Sequence, residues 1–188
     1  PIKRLEAECF RANPIENFDT ACCRIVSAED IELLFYTTHS VPEEIGPIFE
    51  YTFENATIHY RSGESIIAKT REDECIEYGN PDGHVMRKLE KCIAKCTSLN
   101  PDEVCSAESA LVHTRCIEAI QSAPVHTFPP EVVKTLIISE QENLRYVDGL
   151  SEALNLAYEK GCLFRELKTE GNNCFGALET NRPFQIPV

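Results

Sequence analysis

The hydrophobic pattern of the chain changes its period once, and this change limits the fold class. Between Ile2 and Tyr78, apolar residues alternate with polar ones in short runs that turn residues separate. Such alternation is typical of β-strands in an antiparallel meander. The segment Gly79–Gly83 then interrupts the pattern, and the following apolar residues recur at helical spacing. Strands followed by helices without a linker predict one α+β domain over residues 1–188, an open, predominantly antiparallel sheet with helices packed on one face.

Turn signals place the individual elements. The predicted strands cover residues 2–12, 20–26, 31–38, 49–53, 56–60, 65–70, 74–78, 125–128 and 133–138. The third of them is rich in aliphatic and aromatic residues, which predicts burial on both faces. Apolar spacing predicts helices after Val85 and after Ser106, an Asn-Pro start at Asn100, and a helix over Leu150–Lys160 that Gly161 ends. The last 20 or so residues read as an extended tail.

The charge of the chain excludes several partners. Lys and Arg number 18 against 31 Asp and Glu, which gives a net charge of −13. Nucleic acid and anionic membrane surfaces require a basic footprint, so neither is expected as the main partner. No apolar run approaches the roughly 20 residues that cross a bilayer. We therefore expect a soluble, acidic protein with no nucleic-acid or membrane partner.

Ten cysteines leave three interpretations open. They are Cys9, Cys22, Cys23, Cys75, Cys92, Cys96, Cys105, Cys116, Cys162 and Cys174. Most stand where a small apolar residue belongs, which favours reduced thiols in a cytoplasmic protein. Zinc is an alternative, because Cys92 and Cys96 lie four apart and His113 and Cys116 three apart, although structural zinc sites have tighter ligand pairs. A thiol nucleophile is the third, although no local feature marks one thiol as activated.

Polar side chains concentrate where the first predicted strand turns into the second. Arg11, Asn13, Glu16, Asn17 and Asp19 bring a guanidinium, two amides and two carboxylates to this bend. Such groups suit the adjacent hydroxyls of a sugar or polyol. The competing interpretation is a bend that binds its own backbone, because Asn-Pro and Asp-Thr form turns.

One further polar residue follows the third predicted strand. His39 is a candidate for the same cleft, or a satisfied loop residue.

Several catalytic signatures are missing from the sequence. The eight glycines nowhere form Gly-x-Gly-x-x-Gly, so the chain has no dinucleotide-binding turn. It also lacks a Gly-x-Ser-x-Gly elbow and a His-Glu-x-x-His pair. The sequence therefore contains no complete catalytic motif of these kinds.

The order of several softer motifs resembles a known family. These motifs are Arg11–Thr20 (RANPIENFDT), Glu32–Tyr36 (ELLFY) with His39, Gly46–Tyr51 (GPIFEY), Phe53–Thr57 (FENAT), Tyr78–Pro81 (YGNP), the Cys105–His113 segment, Gly149-Leu150 and Leu163. Together they are similar, in order and over most of the chain, to the C-terminal domain of Gfo/Idh/MocA-type oxidoreductases.

The resemblance implies an antiparallel sheet domain for substrate binding and oligomerisation. It also implies an N-terminal Rossmann domain as partner, which would bind NAD or NADP and pass hydride to or from a sugar, cyclitol or related alcohol. Neither that domain nor the family's Lys and His catalytic residues match any position here. The resemblance therefore carries over only Arg11, Asn13, Glu16, Asn17, Asp19 and His39, as candidate substrate-binding residues.

The beginning of the chain bears on which interpretation holds. A strand that starts directly after Pro1 suggests a cut edge, so we expect a fragment that is inactive alone and binds no cofactor by itself. The alternative is a freestanding ligand-binding or dimerisation module. Under both, an uncovered sheet face predicts a homo-oligomer.

Overall fold

A computed structural model of the protein describes residues 2–97, 104–167 and 185–186. The chain divides into two compact units, Pro1–Pro42 with Ala107–Val188 and Glu43–Ser106. All strand pairs of the described residues except one are antiparallel. This confirms the α+β class with open, mostly antiparallel sheets. The assignment of all 188 residues to one domain stays a prediction. Among the described residues, no helix is long and apolar enough to span a bilayer.

The described elements match most of the predicted ones closely. The strands are β1 (Ile2–Arg11), β2 (Thr20–Ser27), β3 (Glu32–Thr38), β4 (Ile48–Thr52), β5 (Ala56–Arg61), β6 (Ile67–Thr70), β7 (Cys75–Glu77), β8 (Val125–Thr127), β9 (Val133–Ile137), β10 (Asn143–Val147) and β11 (Gln185–Ile186). The helices are α1 (Arg87–Thr97), α2 (Ala107–Gln121) and α3 (Leu150–Lys160). The strand β10 was not predicted. The predicted helix start at Asn100, most of the predicted tail and Cys174 lie outside the described residues.

The first unit is built on a central sheet with strand order β11-β1-β2-β3. β8 also pairs with β1, in parallel, from Cys9↔Val125 to Arg11↔Thr127. β9 and β10 form a separate hairpin in the same unit. The helix α3 ends at the predicted Gly161, whose φ of 60° is left-handed and whose N–H bonds the last turn of the helix.

Both faces of the central sheet are buried over β1 and β2. The face toward α2 contains Leu5, Ala7, Cys9, Ala21, Cys23, Ala119, Ile120 and Ala123. The face toward α3 contains Phe10, Ala12, Cys22, Phe128, Val147, Leu150, Ala157, Leu163, Phe164 and Leu167. The two packed helices therefore lie on opposite faces of the sheet, whereas the sequence analysis places all helices on one face.

The aromatic ring of Phe10 explains why the second face of the sheet is also a core. The Phe10 ring lies 5.2 Å from the Phe128 ring and 6.1 Å from the Phe164 ring, measured between centroids. Neither aromatic partner lies in a predicted helix, so the sequence pattern of helices alone gave no sign of this layer.

The prediction that β3 is buried on both faces is wrong. Leu34 and Tyr36 pack against the core on the α3 side. On the other side, Leu33 is 47% exposed and Phe35 is 54% exposed. The reason is position: β3 ends the described strand order of the central sheet, and the buried residues of α2 pack over β1 and β2.

The second unit contains a four-stranded antiparallel sheet in the order β4-β5-β6-β7. Directly paired residues share a face of a sheet. The registers therefore place apolar residues together on one face: Phe49, Tyr51, Ile58, Tyr60, Ala68 and Ile76. The other face carries Glu50, His59, Lys69 and Cys75. The helix α1 of this unit contains no buried residue.

Candidate functional site

The bend between β1 and β2 is organised around the carboxylate of Asp19. This side chain is buried and accepts hydrogen bonds from the backbone N–H groups of Ala12 and Asn13, each 2.9 Å away. It also accepts from Asn13 Nδ2 at 2.9 Å and from the Thr20 hydroxyl at 3.2 Å. A carboxylate has about four acceptor positions, so these donors occupy them. Asp19 therefore shapes the bend, with its acceptor positions occupied by groups of the chain itself.

The same network reaches the end of β3. The N–H of His39 donates to the Asp19 carbonyl at 2.9 Å. Asn13 Nδ2 lies 3.4 Å from the hydroxyl of the buried Ser40. Ser40 in turn accepts from the N–H of Val147 through its carbonyl, at 2.9 Å, and so ties β10 to this end of the sheet.

The guanidinium of Arg11 forms hydrogen bonds to the backbone of the bend and to β8. Its Nη1 donates to the carbonyls of Ile15 and Glu16, both at 3.0 Å. Its Nε donates to the Thr127 hydroxyl at 3.3 Å, which links β1 to β8. All three acceptors are uncharged, so the guanidinium is held in one orientation without being neutralised.

An open pocket of about 460 Å³ lies against this bend. It is lined by Arg11, Ala12, Asn13, Pro14, Ile15, Glu16, Thr127 and Arg145. The lining combines two guanidiniums, one carboxylate, one amide and one hydroxyl. This mixture of donors and acceptors can bind a small ligand that carries several polar groups.

The predicted site residues separate into three groups. Arg11, Asn13 and Glu16 line the pocket. Asp19 lies behind it in the bend. Asn17 and His39 are exposed and outside the pocket lining, and the Asn17 carboxamide accepts a bond from the next residue's N–H. The role of all six in substrate binding stays a prediction.

Three residues of this region are missing from the sequence-based candidates. Ser40 supports the bend, and Thr127 and Arg145 line the pocket. Thr127 stands in a predicted strand, but its parallel pairing with β1 has no local sequence signal. Arg145 belongs to β10, which was not predicted. Both reach the bend only through long-range contacts.

A second charged cluster lies on the α3 side of the central sheet. The side chains of Glu6 and Glu8 are 5% and 8% exposed, and both pair with Arg165. Glu8 accepts in addition from the N–H of Phe164 at 2.9 Å. Burial raises the pKa of Glu8, and the adjacent Arg165 opposes that rise. None of these groups lines the pocket, so the cluster fixes the Phe164–Glu166 turn against the sheet.

The neighbouring pair of Arg24 and Glu166 extends this cluster. Arg24 forms two bonds to the Glu166 carboxylate, at 2.7 and 2.8 Å. These bonds lower the pKa of Glu166 to about 2.

Nine cysteines lie in the described ranges and form no disulfide there. Burial raises the pKa of Cys9 and of Cys23 to about 12, and it also raises that of Cys22. Thiols with such values are poor nucleophiles and metal ligands. Within residues 2–97 and 104–167, no group of three or more His, Cys, Asp or Glu side chains is arranged to hold a metal ion.

The described residues contain no Rossmann-type site for a nicotinamide dinucleotide. In such a site a strand, a glycine-rich turn and a helix N-terminus hold the pyrophosphate. The one parallel pair of the described strands, β1 with β8, contains no such turn.

Comparison of the chain with profiles of known protein families, with curated protein sequences and with solved protein structures gives no match.

Proposed function

We propose that this chain is the substrate-binding and oligomerisation domain of an NAD(P)-dependent oxidoreductase that acts on a sugar, cyclitol or related alcohol. The proposal rests on the sequence resemblance to Gfo/Idh/MocA oxidoreductases. The observation that supports it in the structure is the pocket beside the Arg11–Thr20 motif, because six residues of this motif line it, among them the candidates Arg11, Asn13 and Glu16. We expect the chain to be inactive alone, since its described residues contain no Rossmann-type site for the dinucleotide.

The pocket chemistry suits vicinal hydroxyl groups. The Glu16 carboxylate can accept from two hydroxyls, and Asn13 and Thr127 add an amide carbonyl and a hydroxyl. The bend behind them is fixed by the Asp19 network, which holds the Asn13 amide in place before the ligand arrives and so lowers the entropic cost of binding.

Binding of neutral polyols tests the proposal. We expect myo-inositol or D-glucitol to shift the NMR signals of Asn13 and Thr127 in a saturable titration. The Glu16→Gln variant should weaken this binding, whereas Glu118→Gln, an exposed position on α2, should not. If neither polyol nor its anionic counterpart, myo-inositol 1-phosphate or D-gluconate, shifts these signals, the substrate-binding function is refuted.

The cofactor is tested separately. Titration of NAD or NADP into the chain should produce no heat of binding. A saturable signal would contradict the assignment of cofactor binding to another domain.

Self-association is proposed through the apolar face of the four-stranded sheet in the second unit. This face exposes aromatic and aliphatic side chains, with Tyr51 at 49% and Ile76 at 43% exposure. Contiguous apolar faces of this kind mark interaction surfaces. A second copy of the chain offers a matching apolar face in a two-fold arrangement.

A charge placed on either face of this sheet distinguishes the surfaces. We expect Ile76→Glu to shift the sedimentation of the protein from an oligomer toward the monomer. Lys69→Glu puts the same side chain on the opposite face and should leave the oligomer intact. A monomeric wild-type protein, or an equal effect of both variants, would refute this surface.

A second candidate function is a freestanding, non-catalytic ligand-binding or dimerisation module of the cytoplasm. It is favoured by the missing dinucleotide site among the described residues. The genomic sequence upstream of Pro1 discriminates the two: an in-frame Gly-x-Gly-x-x-Gly motif supports the oxidoreductase, and a start codon directly before Pro1 supports the module.

A further inference from the structure

The pocket against the β1–β2 bend carries an excess of positive charge. Its charged lining residues are Arg11, Arg145 and Glu16, which give a local charge of +1. The chain as a whole has a net charge of −13. The lining of the pocket is therefore cationic in a strongly acidic protein, with the buried Asp19 carboxylate behind it in the bend.

The guanidinium of Arg11 is oriented but not paired. Its three described hydrogen bonds go to two carbonyls and one hydroxyl, at 3.0 to 3.3 Å. Within the described part of the chain, no carboxylate lies within ion-pair distance of it. These bonds use Nε and Nη1, so the Nη2 donors are left for a ligand.

Arg145 brings the second guanidinium from a distant part of the sequence. Its strand is held beside the bend by the 2.9 Å bond from the N–H of Val147 to Ser40, which in turn contacts Asn13. The Arg145 side chain is exposed and has no hydrogen bond or ion pair to any described residue. Two guanidiniums that line one pocket and have no carboxylate partner among the described residues suit the planar oxygens of a carboxylate or the oxygens of a phosphate.

We propose that the ligand of this pocket is an anionic polyol, a sugar acid or sugar phosphate whose oxyanion lies on Arg11 and Arg145. Glu16 and the Asn13 carbonyl then accept bonds from its hydroxyls. This inference rests on the proposed function and narrows its substrate class. It adds a requirement for the negative charge, which a neutral sugar or cyclitol does not meet.

Matched ligand pairs test the requirement. D-Gluconate and D-glucitol differ at one terminal carbon, and myo-inositol 1-phosphate and myo-inositol differ by one phosphate group. Calorimetric titration of the full chain should give at least one anion that binds about 10- to 100-fold more tightly than its neutral partner, as expected for added charge-assisted hydrogen bonds. The two pairs separate a carboxylate ligand from a phosphate ligand.

Variants of Arg145 identify the residue that supplies this preference. Arg145→Gln should remove most of the difference within the pair, while Arg145→Lys should keep part of it. Arg115→Gln, at an exposed position of α2, is the matched control and should change nothing. The exposed Arg145 side chain makes no described hydrogen bond or ion pair, so its variants should keep the melting temperature of the wild-type protein.

Two outcomes overturn the proposal, and they are distinguishable. If a neutral polyol binds and its anion binds no better, or if Arg145→Gln leaves the preference intact, the anionic class is wrong and the polyol site stands. If no ligand of either pair binds, the site itself is refuted together with the proposed function.

Discussion

The buried carboxylates of the central sheet make the stability of the protein depend on Arg165. In the Arg165→Met variant, Glu6 and Glu8 lose their shared guanidinium while their side chains stay 5% and 8% exposed. Removal of one partner from a buried ion pair costs about 3–5 kcal/mol. Glu6 keeps Arg4 at 3.3 Å and Glu8 keeps the N–H of Phe164, so we expect a loss near the lower limit, about 3 kcal/mol.

Urea denaturation followed by circular dichroism measures this loss. With a slope of about 2 kcal/mol/M, a loss of about 3 kcal/mol lowers the midpoint by about 1.5 M at pH 7. Arg115→Met is the exposed control and should change the free energy of unfolding by less than about 0.5 kcal/mol. The triple variant Glu6→Gln/Glu8→Gln/Arg165→Met should recover most of the stability, because it leaves no charge unpaired.

The pH dependence of the loss separates charge from packing. Arg165 lowers the pKa of Glu8 against the effect of burial, so its removal raises that pKa further. Above pH 4.5, Glu8 of the native variant then keeps a proton that Glu8 of the unfolded chain has released. The loss of stability relative to the wild-type protein therefore grows as the pH rises above about 4.5. Below that pH, Glu8 is protonated in both the native and the unfolded state, so the loss of stability relative to the wild-type protein should shrink. An equal loss at pH 4 and pH 7, or no recovery in the triple variant, would refute the reasoning.

Three further outcomes are expected. The Asp19→Ala variant leaves buried N–H groups of the bend without an acceptor, and urea denaturation should show a loss of about 2–4 kcal/mol in the free energy of unfolding. The Asp19→Asn variant keeps one acceptor oxygen and should lose less. Equal losses in the two variants would contradict the role of Asp19 as acceptor. The pKa of Glu166 is about 2, below its ordinary value, so the stability present above pH 4.5 should decline between pH 4.5 and 2. The decline should be weaker in the Glu166→Gln variant. Identical melting curves of the two proteins over this pH range would contradict the pairing of Glu166 with Arg24. A thiol reagent should modify the exposed cysteines of the native protein within minutes and the buried ones only after unfolding, and rapid native labelling of Cys9, Cys22 or Cys23 would contradict their burial.

Local patterns were sufficient to predict most elements of this chain. Strand alternation, turn residues and the Gly161 stop are each encoded within a few residues, and they placed α3 at its observed limits. They did not predict which elements pack on which face. The exposure of Phe35 depends on where α2 lies, and nothing near Phe35 in the sequence carries that information.

In the candidate site, too, residues that are close in sequence could be predicted and residues brought there by long-range contacts could not. Arg11, Asn13 and Asp19 were predicted because they are close in sequence and the bend brings them together directly. Arg145 is separated from Arg11 by most of the chain, and its position depends on the pairing of β9 with β10. The Glu6 and Glu8 carboxylates alternate like a surface-exposed face, and their burial follows from contacts with Arg165 that are equally remote.

The two interpretations of the polar bend, a turn that binds its own backbone and a polyol site, are compatible because they use different atoms. Asp19 uses its acceptor positions within the bend. Arg11 donates to carbonyls of the bend and Asn13 donates to Asp19, while both also line the pocket. The bend therefore holds the backbone of the pocket in place, and ligand affinity depends on the polar atoms of the pocket that make no bond within the bend. Asp19→Ala should lower stability and ligand binding together, because it releases the bend. Arg145→Gln should lower binding alone, since this side chain makes no described hydrogen bond or ion pair. If Asp19→Ala loses stability but binds ligand with unchanged affinity, the bend does not position the pocket and the two roles are independent.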